Sequence, residues 1–449
     1  MRVYTTCAIF LFQSCVVFAQ RDIAIRPKLF QLSIVPGLGT NGTQPGSYEN
    51  YFSVNLSSGY SASALLFEIA TISNLNTNYT RGLQLAGLAN LTGANAFAGL
   101  TKKDKDEKIK SGFSSYLNGA QISGLTNVVL DHVYGLQITG GANVVRGHMI
   151  GVQLSGLSNM VYKFSFGAQV SGLFNVSAAS MDGVQISGIS NYTRGAFSGL
   201  QLSAINSAGD IEGKNSYDNT QPTGIQIGLV NFAKRMNGFQ VGLVNFAKQS
   251  QGTQIGLINF YRGGKRTGTR DGTAIGLFNF GDLNYISFYT NDIFRFNYEF
   301  STGNRKNARI ELSKRNVYVT NAIIYSHQGL RGDDWGIGYG LKKMFFNRSA
   351  MPGMTESRFF SYGLDVQHIN PKKGELTRDL SLLTRLKFMA GKRIAPKLFG
   401  INWYAAVSLN AFWNDKGDSI AHGFLSSSKE VEEISLEYWP GFSLGILLH

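Results

Sequence analysis

Gly151-Val-Gln-Leu-Ser-Gly-Leu-Ser-Asn159 returns sixteen residues later as Gly167-Ala-Gln-Val-Ser-Gly-Leu-Phe-Asn175, and again as Gly183-Val-Gln-Ile-Ser-Gly-Ile-Ser-Asn191. Working outward, the same unit precedes it at Gly119–Asn127 and Gly135–Asn143, and a weaker copy begins at Gly199. The pattern is Gly, any residue, Gln, aliphatic, small, Gly, apolar, any residue, Asn. A fixed period with Gly, Gln and Asn in register marks a repeat architecture.

Further copies extend the array in both directions. Gly82-Leu-Gln-Leu-Ala-Gly-Leu-Ala-Asn90 and a degenerate Leu66–Asn74 come before it. After Asn206 the unit shortens to fourteen residues, at Gly224–Asn231, Gly238–Asn245 and Gly252–Asn259. A last copy, Gly272–Asn279, has Ala274 in the Gln position. The columns that define the repeat are therefore Gln84, Gln121, Gln137, Gln153, Gln169, Gln185, Gln201, Gln226, Gln240 and Gln254. Beside them run Asn90, Asn127, Asn143, Asn159, Asn175, Asn191, Asn231, Asn245, Asn259 and Asn279.

Within each unit the residues alternate apolar and polar, which is strand periodicity. Two all-β architectures follow. In a parallel β-solenoid each unit is one coil, Gly and Asn take the corners, and equal residues stack into side-chain ladders. In one large transmembrane β-barrel, Gln84, Gln121 and their equivalents would line a polar lumen. Identical successive units favour the solenoid, and the 119–206 stretch lacks aromatic girdles.

The organisation expected is a signal peptide over 1–19, N-terminal β strands over 20–63, repeats over 64–282 and an antiparallel β domain over 283–449. Met1–Ala19 has a basic start at Arg2, a short apolar run and Val17-Phe-Ala19 before the cleavage point. Both cysteines, Cys7 and Cys15, fall inside it, so the mature chain has no thiol for disulfides, catalysis or zinc. Phe30–Val35 and Tyr51–Leu56 read as the first strands. Charged Lys102–Lys110 and polar Ser207–Thr223 read as insertions. After Gly281, strand-like runs appear at Tyr285–Tyr289, Phe294–Phe300, Ala308–Leu312, Val317–Tyr325, Trp335–Phe346, Phe359–Val366, Leu380–Ala390, Ile401–Phe412 and Phe442–Leu448. These read as an antiparallel sheet or barrel. Glu375–Ile394 also fits an amphipathic helix.

The formal net charge is +14, concentrated after Tyr261. No basic stripe is interleaved with stacking aromatics, so nucleic acid is not an expected partner. The six histidines, His132, His148, His327, His368, His422 and His449, show no metal-ligand spacing. Gly37, Gly39 and Gly42 match a phosphate-loop pattern only formally, since Pro45 follows where a helix should start. Gly417-Asp-Ser-Ile420 with His422 lacks the strand–turn–helix setting of a hydrolase nucleophile. Asp333-Asp334 reads as a turn. No catalytic, metal or cofactor residue is assigned, and the chain is not expected to be an enzyme.

Phe30-Gln-Leu-Ser-Ile-Val-Pro-Gly-Leu-Gly-Thr-Asn-Gly42, Phe52-Ser-Val-Asn-Leu56, the repeats and Trp335-Gly-Ile-Gly-Tyr-Gly340 resemble a family of uncharacterised surface or outer-membrane repeat proteins of Bacteroidota. Leptospiral surface-repeat lipoproteins carry similar repeats. The resemblance implies an exported protein of the outer membrane or cell surface, with the periplasm as the third compartment, and supplies no activity. The role expected is structural or binding, towards the outer membrane, its lipopolysaccharide, an envelope protein or a glycan. The alternative is a barrel channel.

Overall fold

A computed structural model describes residues 25–93, 115–209, 224–250, 252–263, 272–281, 283–306, 315–329, 332–347, 358–371, 374–393, 401–415, 420, 426–431 and 434–448. These residues form a parallel β-solenoid of about 12 turns and a closed antiparallel barrel of 8 strands, with no α-helix among them. The repeats are therefore not staves of one large barrel. Two compact units divide the chain, Met1–Asp218 and Asn219–His449. The signal segment, the Lys102–Lys110 insertion, residues 210–223, Ala308–Leu312, Gly417–Ser419 and His422 lie outside the described residues.

In the first unit each sixteen-residue repeat makes one long and one short strand, such as Met149–Ser155 and Ser158–Val161. Each strand pairs in parallel with its own copy, so Gln137 faces Gln153, Gln153 faces Gln169, and Asn143 faces Asn159. The inward residues are Met149, Gln153, Asn159 and Val161, all fully buried. Burying an amide is costly unless it is bonded. Here each copy lies one strand spacing from the next, about 4.8 Å, which is hydrogen-bonding reach for a side-chain amide. Gly151 cannot be replaced, because its φ is +142° and an added Cβ would stand 1.9 Å from Gly135 O.

The stack begins earlier than the Gly/Gln pattern does. Arg26–Val35 pairs in parallel with Tyr48–Asn55, and that strand with Ser63–Ala70. Gln31, Ser53, Glu68 and Gln84 thereby become successive members of one column.

The second unit opens with the fourteen-residue coils, whose Asn231, Asn245, Asn259 and Asn279 stack in register. Phe232, Phe246, Phe260 and Phe280 stack beside them with centroids 5.0, 4.6 and 4.8 Å apart. The barrel follows: β1 (Leu283–Asn291), β2 (Phe294–Lys306), β3 (Arg315–Gly329), β4 (Trp335–Asn347), β5 (Arg358–Asn370), β6 (Ser381–Arg393), β7 (Ile401–Asp415) and β8 (Ile434–Leu448). Neighbours pair antiparallel and β8 closes on β1, while a short strand, Ser427–Val431, pairs with the start of β8. The segment with helical character is strand β6.

Gln153 donates to Gln137 Oε1 at 2.8 Å and accepts from Gln169 Nε2 at 2.9 Å. Gln153→Met keeps the volume but strands both neighbours. It is expected to cost about 2–6 kcal/mol, since each of the two orphaned buried groups costs about 1–3. Urea unfolding followed by far-ultraviolet circular dichroism reads the difference, and a change no larger than that of a surface substitution would remove the ladder from the account.

Candidate functional site

The repeat-defining amides are placed by the coils, and they face inward. Every Gln and Asn of the two columns is buried, none more exposed than 4%. None of them is on offer to a ligand. They bond to each other in two chains of opposite direction. Each Gln donates backwards, from Gln201 through Gln185, Gln169, Gln153, Gln137 and Gln121 to Gln84, at 2.7–2.9 Å. Each Asn donates forwards, from Asn90 through Asn127, Asn143, Asn159, Asn175 and Asn191 to Asn206, at 2.9–3.2 Å. The second Asn N–H fixes this orientation, since it donates to a backbone carbonyl of the next coil, as Asn143 does to Leu154 O at 2.8 Å.

One column member departs from the pattern. Glu68 stands where Gln belongs, accepting from Gln84 Nε2 at 2.8 Å, Asn76 Nδ2 at 2.9 Å and Asn55 Nδ2 at 3.4 Å. Burial raises its pKa above the ordinary carboxylate value, opposed by those three hydrogen bonds. The sixteen-residue period also stacks His132 on His148, with centroids 5.0 Å apart, although their spacing in sequence is not that of metal ligands. His132 Nδ1 accepts from the His148 backbone N–H at 3.1 Å, and no metal-binding group of three or more His, Cys, Asp or Glu occurs among the described residues. Burial lowers the His148 pKa, with His132 and Lys163 adding to the effect.

The barrel carries a second, different arrangement of polar groups. Along β1 the buried residues are Leu283, Tyr285, Ser287 and Tyr289, while Ile286 and Phe288 face out. The alternation continues round the wall. Inside stand two acidic and three basic side chains, Glu299, Asp365, Lys342, Arg385 and Lys387, none more than 3% exposed. Lys342 bonds Glu299 and lies 3.9 Å from Asp365; Lys387 lies 4.0 Å from Asp365 and 4.0 Å from the Tyr289 ring centroid. Arg385 donates to Gln367, which donates to Ser326 at 2.9 Å, which donates to Asn297 at 2.6 Å. In the turn between β1 and β2, Asp292 accepts from Trp439 at 2.7 Å and Asn410 at 2.9 Å. Side chains fill the lumen, as the size of an eight-stranded barrel dictates.

Outside, the wall is apolar. Ile337, Leu341, Leu364, Leu386, Val407, Leu409, Phe442 and Leu444 are 39–64% exposed. Following the register from Phe288 through Tyr298, Tyr325, Ile337, His368, Leu382 and Trp413 arrives at Leu436, whereas Phe288 itself faces Ile446. That stagger of ten residues (446 − 436) tilts the strands by about 40°. With the tilt applied, Trp335, Trp413 and Tyr438 fall near one border of the apolar band. Phe345, Phe360 and Trp403 fall near the other, with Lys343, Arg358 and Lys392. The band between them is roughly 25 Å tall.

Sequence reasoning missed the interior charges. Their signal was present in Leu364-Asp-Val366 and Leu386-Lys-Phe388, where a charge sits between two apolar residues of an alternating strand. Asp333-Asp334 lies in the bend between β3 and β4, where Gly329 N–H donates to Asp334 O at 3.2 Å. Just before it stands Gln328, the non-glycine residue with a positive φ (54°) among the described residues. No family model, curated protein or solved structure matches the chain.

Because the folded state holds the Glu68 proton more tightly than the unfolded chain, nothing distinguishes the two states well below the ordinary glutamate pKa. As pH rises past that value the unfolded chain ionises first, so stability falls until the folded pKa is passed. Glu68→Gln abolishes this term. Melting temperatures of the two proteins between pH 4 and pH 8 are expected to diverge, wild type losing ground as pH rises; parallel curves would refute the assignment.

Proposed function

We propose that this protein is an outer-membrane anchor with a structural or binding role: a chain whose sealed eight-stranded barrel is seated in the bilayer and which also contains a β-solenoid. One observation carries the reading. The barrel is inverted relative to a soluble one, with acidic and basic side chains at its centre and aliphatic and aromatic side chains over its outer wall. In water that wall would be an apolar patch far beyond the few hundred Å² a soluble monomer exposes. In a bilayer it is the required surface, and closure leaves no bare strand edge in the hydrocarbon. Aromatic and basic residues at the borders suit the interfaces.

The charge network argues for sealing over conduction. Lys342 bonds Glu299 two strands away, and Lys342 and Lys387 flank Asp365 from the strands on either side, in the lumen where a channel would keep water. The amide columns, lying inside the coils, line no pore.

The full chain reconstituted in liposomes is expected to resist urea and to stay electrically silent in planar bilayers. Leu386→Arg, near mid-band on the outer wall, is expected to lower stability in the bilayer by about 2–4 kcal/mol. A chain that stays monomeric and folded without detergent or lipid, and that tolerates Leu386→Arg as any exposed position does, would sink the proposal.

A further inference from the structure

A parallel sheet ends in a bare edge unless something covers it. The fourteen-residue coils end at Thr273–Ile275 and Phe278–Phe280. Their last edge is met by side chains of the barrel. Gly276 O accepts from Tyr339 Oη at 2.6 Å and Asn321 Nδ2 at 3.3 Å, and Asn279 N–H donates to Thr302 Oγ1 at 3.0 Å. Thr302 and Asn321 face each other across β2 and β3. All three partners project from the outer wall, beside Phe300, Ile337 and Leu341 of the apolar band. Sheet hydrogen bonds run along the stacking direction. The coils therefore extend sideways from the wall, at the level of the band, and not from the rim of the barrel.

A body in that position needs an apolar surface of its own, and the coils have one. Leu229, Leu243, Leu257 and Leu277 form a corner column 41–56% exposed, flanked by Ile227, Val241, Ile255 and Ile275. The corner leaves its amides bonded: Leu243 N–H and Val244 N–H both donate to Leu229 O at 3.0 Å. Lipid-exposed backbone requires this. At the far end of the second strand of the coil the outward residues are Lys234 and Lys248, both exposed. The cross-section is thus apolar at one edge and cationic at the other, the distribution of an element lying in a membrane interface over anionic lipid.

We propose that the fourteen-residue coils form a lateral arm half sunk in one leaflet, the leucine corner among acyl chains and the lysine edge among anionic headgroups. The inference rests on the barrel being membrane-inserted. The test uses the full chain carrying Cys7→Ser and Cys15→Ser, with single reporters Val407→Cys on the barrel band, Leu243→Cys on the corner and Lys248→Cys on the basic edge. Each carries an environment-sensitive fluorophore, in vesicles containing phosphatidylglycerol. Brominated acyl chains are expected to quench positions 243 and 407 to a comparable degree, and aqueous iodide to quench 248. If 407 is quenched by bromolipid while 243 responds to iodide, the arm is overturned and the barrel reading stands. If 243 is shielded from both quenchers, protein covers the corner and the lipid assignment fails. If 407 itself is open to iodide, both readings fall.

Discussion

A primary amide donates and accepts along one line. Stacked at the spacing of a parallel sheet, it can bond to the copy above and the copy below without any other partner. The solenoid depends on that fit. Gln and Asn share the interior with apolar residues such as Met149 and Val161, and each amide satisfies its neighbour. The constraint is unforgiving in register, because a slip of one residue would turn the amides out and the aliphatic residues in. It also explains the glycines, whose role at positions such as Gly151 is to let one coil's backbone come within contact of the next.

With the amides taking much of the interior beside Met149 and Val161, many of the coils' other aliphatic residues face outward. The same inversion recurs in the barrel by other means: ion pairs and a chain of Arg385, Gln367, Ser326 and Asn297 replace the ladders. Breaking one buried ion pair leaves an uncompensated charge, which costs more than the pair contributes. The two parts of the second unit are thus alike in placing hydrogen-bonding groups inside and aliphatic groups outside. That common polarity, and not any catalytic constellation, is what points to lipid.

Much of this was legible in the sequence. Sixteen- and fourteen-residue periods with Gly, Gln and Asn in register specify coils, and most of the later strands were visible from alternation and turn residues. The first two coils were not legible as such, because Gln31 and Ser53 hold the amide column outside the Gly-x-Gln pattern, whereas Leu66–Asn74 was readable as a degenerate copy despite Glu68. The barrel's inversion was hidden for another reason. Alternation reports that two faces differ without saying which is inside. Only closure of the eight strands decides that the face carrying Glu299, Lys342, Asp365 and Lys387 is the lumen. The stacked pair His132 and His148 escaped because proximity there follows the coil period and not local spacing.

The opposed directions of the two ladders bear on how long such a body can be. A single file of aligned amides would build a dipole that grows with every coil, much as a helix does. Gln chains running one way and Asn chains running the other cancel that growth coil by coil. A repeat can then be gained or lost by recombination without changing the field at either end, so the array's length is free to drift while its ends stay electrostatically the same.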